Sequence, residues 1–275
     1  MCHEDEASAN LKFGTVNYVN IRRAARLVAP SGAVEYQARY RELRALGTTP
    51  PLARRAARSA AYRETSVHLL PAGALGHVDA VVDVGANVGR WSTLLFSVCS
   101  PTRLLAVEPS VSVLPALRSA LAPHHVAEVV PVAAGPASGD VDFHATVHSH
   151  NASVLQPRSN EMDRFYGAGW QVQRITSVPQ RTLDEIAGGL PKVTILKIDV
   201  QGYERAVLSG ATKTLGRCKY LVLEVTFRSH YEGDSGFPEL HDVITDHGFL
   251  LRSFGQPFCR SGQALWVDAV YERIR

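Results

Sequence analysis

The stretch that most restricts this chain is a seven-residue turn, Asp83-Val84-Gly85-Ala86-Asn87-Val88-Gly89. The apolar run Ala80-Val81-Val82 leads into it, and Trp91-Ser92-Thr93-Leu94-Leu95-Phe96 follows with helical character. Strand, glycine turn and helix start in succession form the ligand-holding corner of a nucleotide-type α/β fold. A dinucleotide fingerprint would need glycine where Asn87 and Arg90 stand. Asp83, just ahead of the turn, is a poor neighbour for a pyrophosphate and suits a ligand carrying an ammonium and a sulfonium. The corner therefore points to S-adenosylmethionine rather than NAD or ATP, with Asp83, Gly85, Ala86, Asn87 and Gly89 as its expected contacts.

The pattern around the corner predicts one α/β domain. From about residue 78, short β-rich runs alternate with helical stretches, the mark of a parallel sheet. Strands are expected at 80–84, 103–107, 127–132, 193–198, 219–225, 249–254 and 264–270, and helices at 89–98, 111–121, 182–187, 203–215 and 237–247. The last two strands flank a Gly/Pro/Ser-rich connection, Gly255 to Gly262, which reads as a hairpin. The expected sheet is thus seven-stranded and mixed, with an antiparallel last strand. About sixty residues separate the third and fourth strands, too many for a simple crossover. Asp140–His144 looks like a hairpin arm there and 145–170 like an irregular loop; a long insertion at the carboxyl edge of a sheet commonly carries substrate contacts.

Residues 1–66 differ in character from the rest and are expected to form an N-terminal helical extension to a catalytic domain at 67–275. They hold 11 Lys/Arg against 6 Asp/Glu, whereas the remainder is slightly acidic. The arginines (Arg22, Arg23, Arg26, Arg39, Arg41, Arg44, Arg54, Arg55, Arg58) could meet an anionic surface, or could simply form solvated helix faces. No aromatic interleaving of the kind single-strand binders use accompanies them, so nucleic acid is not an expected partner. No apolar run of about 18 residues occurs and the first residues are acidic, so neither a membrane span nor an ordinary secretory signal is expected. With Cys2, Cys99, Cys218 and Cys259 scattered, reduced thiols and a cytoplasmic location follow as the expectation.

Three further places carry chemistry. Glu108, followed by Pro109 and Ser110, ends the second strand 25 residues after Asp83. A carboxylate there can accept both ribose hydroxyls of an adenosine ligand, or can serve as a helix cap ahead of Pro109. Ala133-Ala134-Gly135 leave room for a flat base, and would serve equally well as turn residues. On the fourth strand, Lys197 and Asp199 share a face opposite Leu196, Ile198 and Val200, which places Asp199 at the ligand-binding edge. Glu204 falls in the first turn of the next helix, where complementing the helix dipole is its alternative role.

Asp83–Gly89, the block Leu196-Lys-Ile-Asp-Val-Gln-Gly-Tyr-Glu204 and Val207-Leu-Ser-Gly-Ala211 together resemble the FkbM family of methyltransferases. Asn151-Ala-Ser-Val-Leu155 and Arg181-Thr-Leu-Asp-Glu185 extend the resemblance, which covers roughly residues 64–270. It implies a class I methyltransferase (Rossmann-like) fold, S-adenosylmethionine as donor, and O-methylation of a hydroxyl on a sugar, glycolipid or secondary metabolite.

Methyl transfer from a sulfonium is an in-line displacement that must also remove a proton from a weakly acidic alcohol. Asp199 is the first candidate for that base or for orienting the acceptor, with His230 and Glu224 next. Asp199 also belongs among the donor contacts; Lys197, Glu204, His150 and Asn151 are expected toward the acceptor. Asp199 with Glu224 could instead hold Mg²⁺, though nothing in their spacing demands a metal. The expected partners are a small-molecule or glycoside acceptor and, at the protein level, a second copy of the chain. Two other readings stay open: an NAD-binding oxidoreductase, and a non-catalytic adaptor docking through the arginines.

Overall fold

The computed structural model describes residues 66–260 and 262–274. The expected N-terminal helices and their arginine clusters lie outside the described residues.

After a 3-10 turn, Ser66–Leu69, and a short helix α1 (Ala72–Gly76), the chain enters β1 (Ala80–Val84). Then follow α2 (Arg90–Phe96), β2 (Arg103–Val107), α3 (Leu114–Leu121) and β3 (Ala127–Val130). The insertion contributes β4 (Ala133–Ala134), β5 (Gly139–Thr146), α4 (Ser159–Tyr166) and β6 (Val172–Arg181). The domain resumes with α5 (Leu183–Ile186), β7 (Val193–Ile198), α6 (Glu204–Ser209), α7 (Thr212–Gly216) and β8 (Cys218–Thr226). It closes with α8 (Phe237–Asp246), β9 (Phe249–Phe254), β10 (Phe258–Arg260) and β11 (Gln263–Arg273).

The main sheet runs β10-β11-β8-β7-β1-β2-β3, with β9 paired to the outer edge of β11. Strands β3, β2, β1, β7 and β8 are parallel and β11 is antiparallel to β8, as the sequence predicts. Both faces are covered, so the central strands are mostly apolar. Val82, Val84, Leu105, Leu196, Ile198 and Leu223 pack under α5 to α8, while Val81, Leu104, Ala106, Ile195 and Val222 pack under α2 and α3. The chain reverses direction across the sheet between β1 and β7, which opens a crevice at their carboxyl ends.

Four local departures have physical reasons. Pairing of β3 stops at Val130 because Pro131 has no N–H to donate. The next residues, Ala133 and Ala134, join β6 instead, founding a second sheet of order β4-β6-β5. The expected hairpin arm is therefore a full strand of that sheet, and the expected irregular loop contains α4, whose Met162 packs with Trp170 and Tyr231 in a small core of its own. The expected helix 203–215 breaks after Ser209, since Gly210 passes so close to Gly135 that an added Cβ would lie 2.1 Å from its carbonyl oxygen. Asp184 then receives the backbone N–H groups of Lys213 and Thr214, at 3.0 and 2.7 Å, and starts α7. Finally, the Gly255–Gly262 connection carries β10, raising the main sheet to eight strands. Among the described residues no helix is long and apolar enough to cross a membrane.

Candidate active site

Gly85 turns the chain at the top of β1 with φ +75°, and its N–H donates to Val107 O at 2.9 Å. A Cβ here would fall 1.8 Å from Asp199 O, so only glycine lets the ends of β1 and β7 close on each other. Beside the turn, Glu108 is buried and each of its oxygens receives one N–H: Asn87 on Oε2 at 2.7 Å and Ser110 on Oε1 at 2.8 Å. Burial raises its pKa, and the two N–H groups oppose that rise. Glu108 lines the crevice and ties the Pro109–Ser110 turn; no helix starts at Pro109, the next one beginning at Leu114.

That crevice is a cavity of about 620 Å³. At one end lie Gly85, Asn87, Glu108, Pro109, Ala133 and Ala134; at the other lie Glu224, His230, Tyr166, Trp170, Phe258 and Trp266; Asp199 stands on the wall as well, with His148, His150 and Asn151. Ala86, Gly89 and Ser110 shape the corner from behind and are not in the wall. Gly89, for instance, lies against Leu117 of α3.

Asp83 departs from expectation. It has 0% exposure and does not face the cavity: Ser92 donates to its Oδ2 at 2.6 Å and the Lys197 ammonium lies 3.1 Å from its Oδ1. The in-register pairing of Asp83 with Lys197 places both side chains on one face of the sheet beneath α2, where a lone charge would be costly. Lys197, expected toward the acceptor, is likewise turned inward. Its Nζ donates to Gly85 O at 3.0 Å and reaches Asp199 Oδ2 at 3.4 Å. Burial works against its charge, but the Asp83 and Asp199 carboxylates outweigh burial and hold its pKa above the lysine range. Glu204 is also absent from the wall. It is buried, its Oε1 receives Val200 N–H at 3.0 Å, and burial lifts its pKa to about 7. It fastens the turn that follows β7 rather than meeting a ligand.

Asp199 itself opens to the cavity, with 37% of its side chain exposed. Gln201, at φ +56°, donates from Nε2 to Asp199 Oδ1 at 2.8 Å and accepts the Tyr231 hydroxyl at 2.9 Å. The same Tyr231 hydroxyl lies 3.0 Å from Asn151 O, and Ser153 donates to Gln201 O at 2.7 Å. The turn after β7 is thereby tied to the insertion. Asn151 lines the cavity, but its Nδ2 donates to Gly169 O at 3.3 Å.

His230 is buried and receives or gives a 2.6 Å hydrogen bond between its Nε2 and the Tyr166 hydroxyl. Burial pushes its pKa down to about 4 against the pull of Asp234, while burial lifts the Tyr166 phenol to about 12. Both are neutral at pH 7. Burial lowers the pKa of His150, helped by His148 and opposed by Asp199. Glu224 behaves oppositely: burial and the neighbouring Asp199 and Asp268 raise its carboxyl well above the usual range. Among the described residues no three or more His, Cys, Asp or Glu gather as a metal site, including around Asp199 and Glu224.

Sequence reasoning missed Tyr166, Trp170, Phe258, Trp266 and His148. They come from the insertion and the β10–β11 hairpin, where no periodicity distinguishes a cavity-lining aromatic from a packing one. Gln201 stood inside the recognised block, and its positive φ was not readable from it.

The sequence pattern of the FkbM methyltransferase domain matches residues 83–251. The chain belongs to the FkbM methyltransferase family. The family uses S-adenosylmethionine. A 2-O-methyltransferase, NoeI, of Sinorhizobium fredii (strain NBRC 101917 / NGR234) is 24% identical over 177 residues, covering 60% of this chain and 70% of that protein. The solved FkbM methyltransferase of Methylobacillus flagellatus KT is 17% identical with a TM-score of 0.46; the match covers 70% of this chain and 43% of that one. Magnesium protoporphyrin IX methyltransferase of Synechocystis PCC 6803, solved with bound S-adenosylmethionine, is 12% identical with a TM-score of 0.40, over 95% of this chain and 86% of that one.

The residues present fit the donor of an FkbM methyltransferase. Glu108 offers an oriented carboxylate to a diol, and Ala133 and Ala134 leave space for a flat ring. The carboxylate exposed at the end of β7 is Asp199, whereas Asp83 is enclosed.

Proposed function

We propose that this FkbM methyltransferase is an S-adenosylmethionine-dependent O-methyltransferase acting on a hydroxyl of a sugar, glycolipid or secondary metabolite. The observation that carries the reading is a single cavity joining the Glu108–Ala133 end to an end lined by carboxylate and aromatic side chains. Similarity to a 2-O-methyltransferase supports oxygen as the acceptor atom.

When bound, the donor supplies an electrophilic methyl group on a sulfonium. Glu108 accepts the ribose hydroxyls, and Ala133 adjoins the adenine. Asp199, held by Lys197 and Gln201, presents its free lone pairs to the cationic end of the donor and orients the acceptor hydroxyl. Glu224 is the proton acceptor in this scheme, because a carboxyl held above its usual pKa is better matched to an alcohol proton. His230 acts through Tyr166: as a neutral imidazole accepting the phenolic O–H hydrogen bond at Nε2, it leaves the lone pairs of the Tyr166 oxygen as acceptors for a substrate hydroxyl. Phe258 stacks on Trp266 at 5.4 Å and Tyr166 on Phe258 at 5.8 Å, forming a wall against which the apolar face of a ring can lie.

Hydride transfer with NAD is disfavoured by the family match. The test is calorimetry with S-adenosylmethionine and S-adenosylhomocysteine, followed by radiolabelled methyl transfer to a panel of glycosides and hydroxylated metabolites. Binding of neither nucleoside would end the reading; label recovered on nitrogen or carbon would end the O-methyl assignment.

A further inference from the structure

Across the carboxyl end of the sheet, three acidic residues stand in one row. Glu224 of β8 lies directly opposite Asp268 of β11 in the antiparallel ladder. The parallel register that pairs Lys197 with Val222 and Ile198 with Leu223 continues one step to set Asp199 beside Glu224. Residues paired in this way project from the same face, so Asp199, Glu224 and Asp268 stand side by side, and Asp199 and Glu224 of this row line the cavity. The nearest cation is Lys197, one step lower on β7, and it is already committed to Asp83, Asp199 and Gly85 O. Among the described residues neither Glu224 nor Asp268 has a hydrogen-bond donor of its own. The other titratable groups facing Glu224 are Glu204 of α6, Tyr166 of α4, and Tyr231. His230 and His150 also line the cavity. Arg90 lines the cavity from the start of α2 and is charged; none of the other groups supplies a positive charge at neutral pH: the tyrosines and His230 are neutral, Glu204 is acidic, and burial lowers the pKa of His150.

Three adjacent carboxyl groups with one shared ammonium cannot all ionise cheaply. We propose that Glu224 and Asp268 together store a proton that is released when the sulfonium of the donor enters the cavity, so that the base is generated only in the donor-loaded enzyme. The balance is simple. The carboxylic acid O–H ionises, the proton leaves to solvent, and the carboxylate left behind is paired by the incoming sulfonium; it is then free to take the proton of the acceptor hydroxyl. The raised pKa of Asp268, about 7 through burial and Asp199, agrees with this arrangement. The inference rests on the donor assignment above, and it implies an order: donor first, acceptor second.

The test uses the full chain and two ligands that differ in the sulfonium, S-adenosylmethionine and S-adenosylhomocysteine. Their binding enthalpies are measured at pH 7 in two buffers of different ionisation enthalpy. The expected result is release of a proton, as a whole or a large fraction, with S-adenosylmethionine and much less with S-adenosylhomocysteine. Equivalently, the affinity ratio of the two should rise with pH, approaching about tenfold per pH unit for one proton. Glu224→Gln and Asp268→Asn should each abolish most of the difference while S-adenosylhomocysteine still binds. Should both ligands bind with equal proton release, or with none, the proposal fails and the donor assignment stands. Should neither bind, the donor assignment fails first. The pH dependence of the ratio in the unmodified protein decides the matter even if a variant does not fold.

Discussion

Replacing Lys197 by methionine tests the buried charge cluster beneath the corner. The substitution keeps most of the side-chain volume and deletes the ammonium. Asp83, at 0% exposure, would then retain only the 2.6 Å bond from Ser92. Asp199 would lose the same partner, but it opens to the cavity and keeps Gln201, so its share of the cost is small. The penalty therefore comes mainly from one uncompensated buried carboxylate, which by analogy with broken buried pairs amounts to about 3–5 kcal/mol. That is a large part of the roughly 5–15 kcal/mol by which a domain is stable. With urea slopes of about 1–3 kcal/mol per molar, the unfolding midpoint should fall by about 1–5 M. Asp83→Asn combined with Lys197→Met removes both charges, and should recover much of the loss because Ser92 can still donate to an amide oxygen. The raised pKa of Lys197 sets the pH window. Its contribution is complete below the unfolded value of 10.5 and is lost as pH rises through the higher folded value. Equilibrium urea unfolding at pH 7 measures all three proteins. A single variant within about 1 kcal/mol of the parent, or a double variant less stable than the single one, would refute the reasoning.

Glu108→Ala removes the carboxylate that gathers Asn87 and Ser110, and a charged hydrogen-bond acceptor of this kind contributes about 1.5–3 kcal/mol. S-adenosylhomocysteine affinity should drop by about 10- to 100-fold, and an unchanged dissociation constant by calorimetry would remove Glu108 from the ribose role. Asp199→Asn should weaken S-adenosylmethionine binding and, at saturating donor, lower turnover by about two orders of magnitude or more; single-turnover methyl transfer at saturating donor that proceeds at the parental rate would contradict it. Tyr166→Phe deletes the phenolic oxygen anchored by His230. It should raise the acceptor KM, or lower kcat over KM by about tenfold, without altering donor binding, whereas an equal loss of donor affinity would mean that Tyr166 supports the fold instead.

The corner at residues 83–89, the carboxylate at Glu108 and the strand edge at Asp199 were readable from sequence because their geometry is local. A glycine turn between an apolar strand and a helix admits few conformations, and period-two alternation fixes which side chains share a face. The parallel strands and the antiparallel last strand followed for the same reason, from apolar runs and one Gly/Pro-rich connection. What the sequence could not supply was who meets whom across strands far apart in the chain. Asp83 reads as a ligand contact until Lys197, 114 positions away, is found in register beside it. Glu224 reads as a lone candidate base and Asp268 as an ordinary acid until the ladder sets them opposite each other. Tyr166 and His230 come from an insertion and a loop with no periodic signal, and only packing around Met162, Trp170 and Tyr231 brings them to one hydrogen bond. Burial and partner identity set the charge states of these groups, and both are properties of the folded chain: desolvation and Coulomb energy depend on distances in space, which the order of residues does not contain.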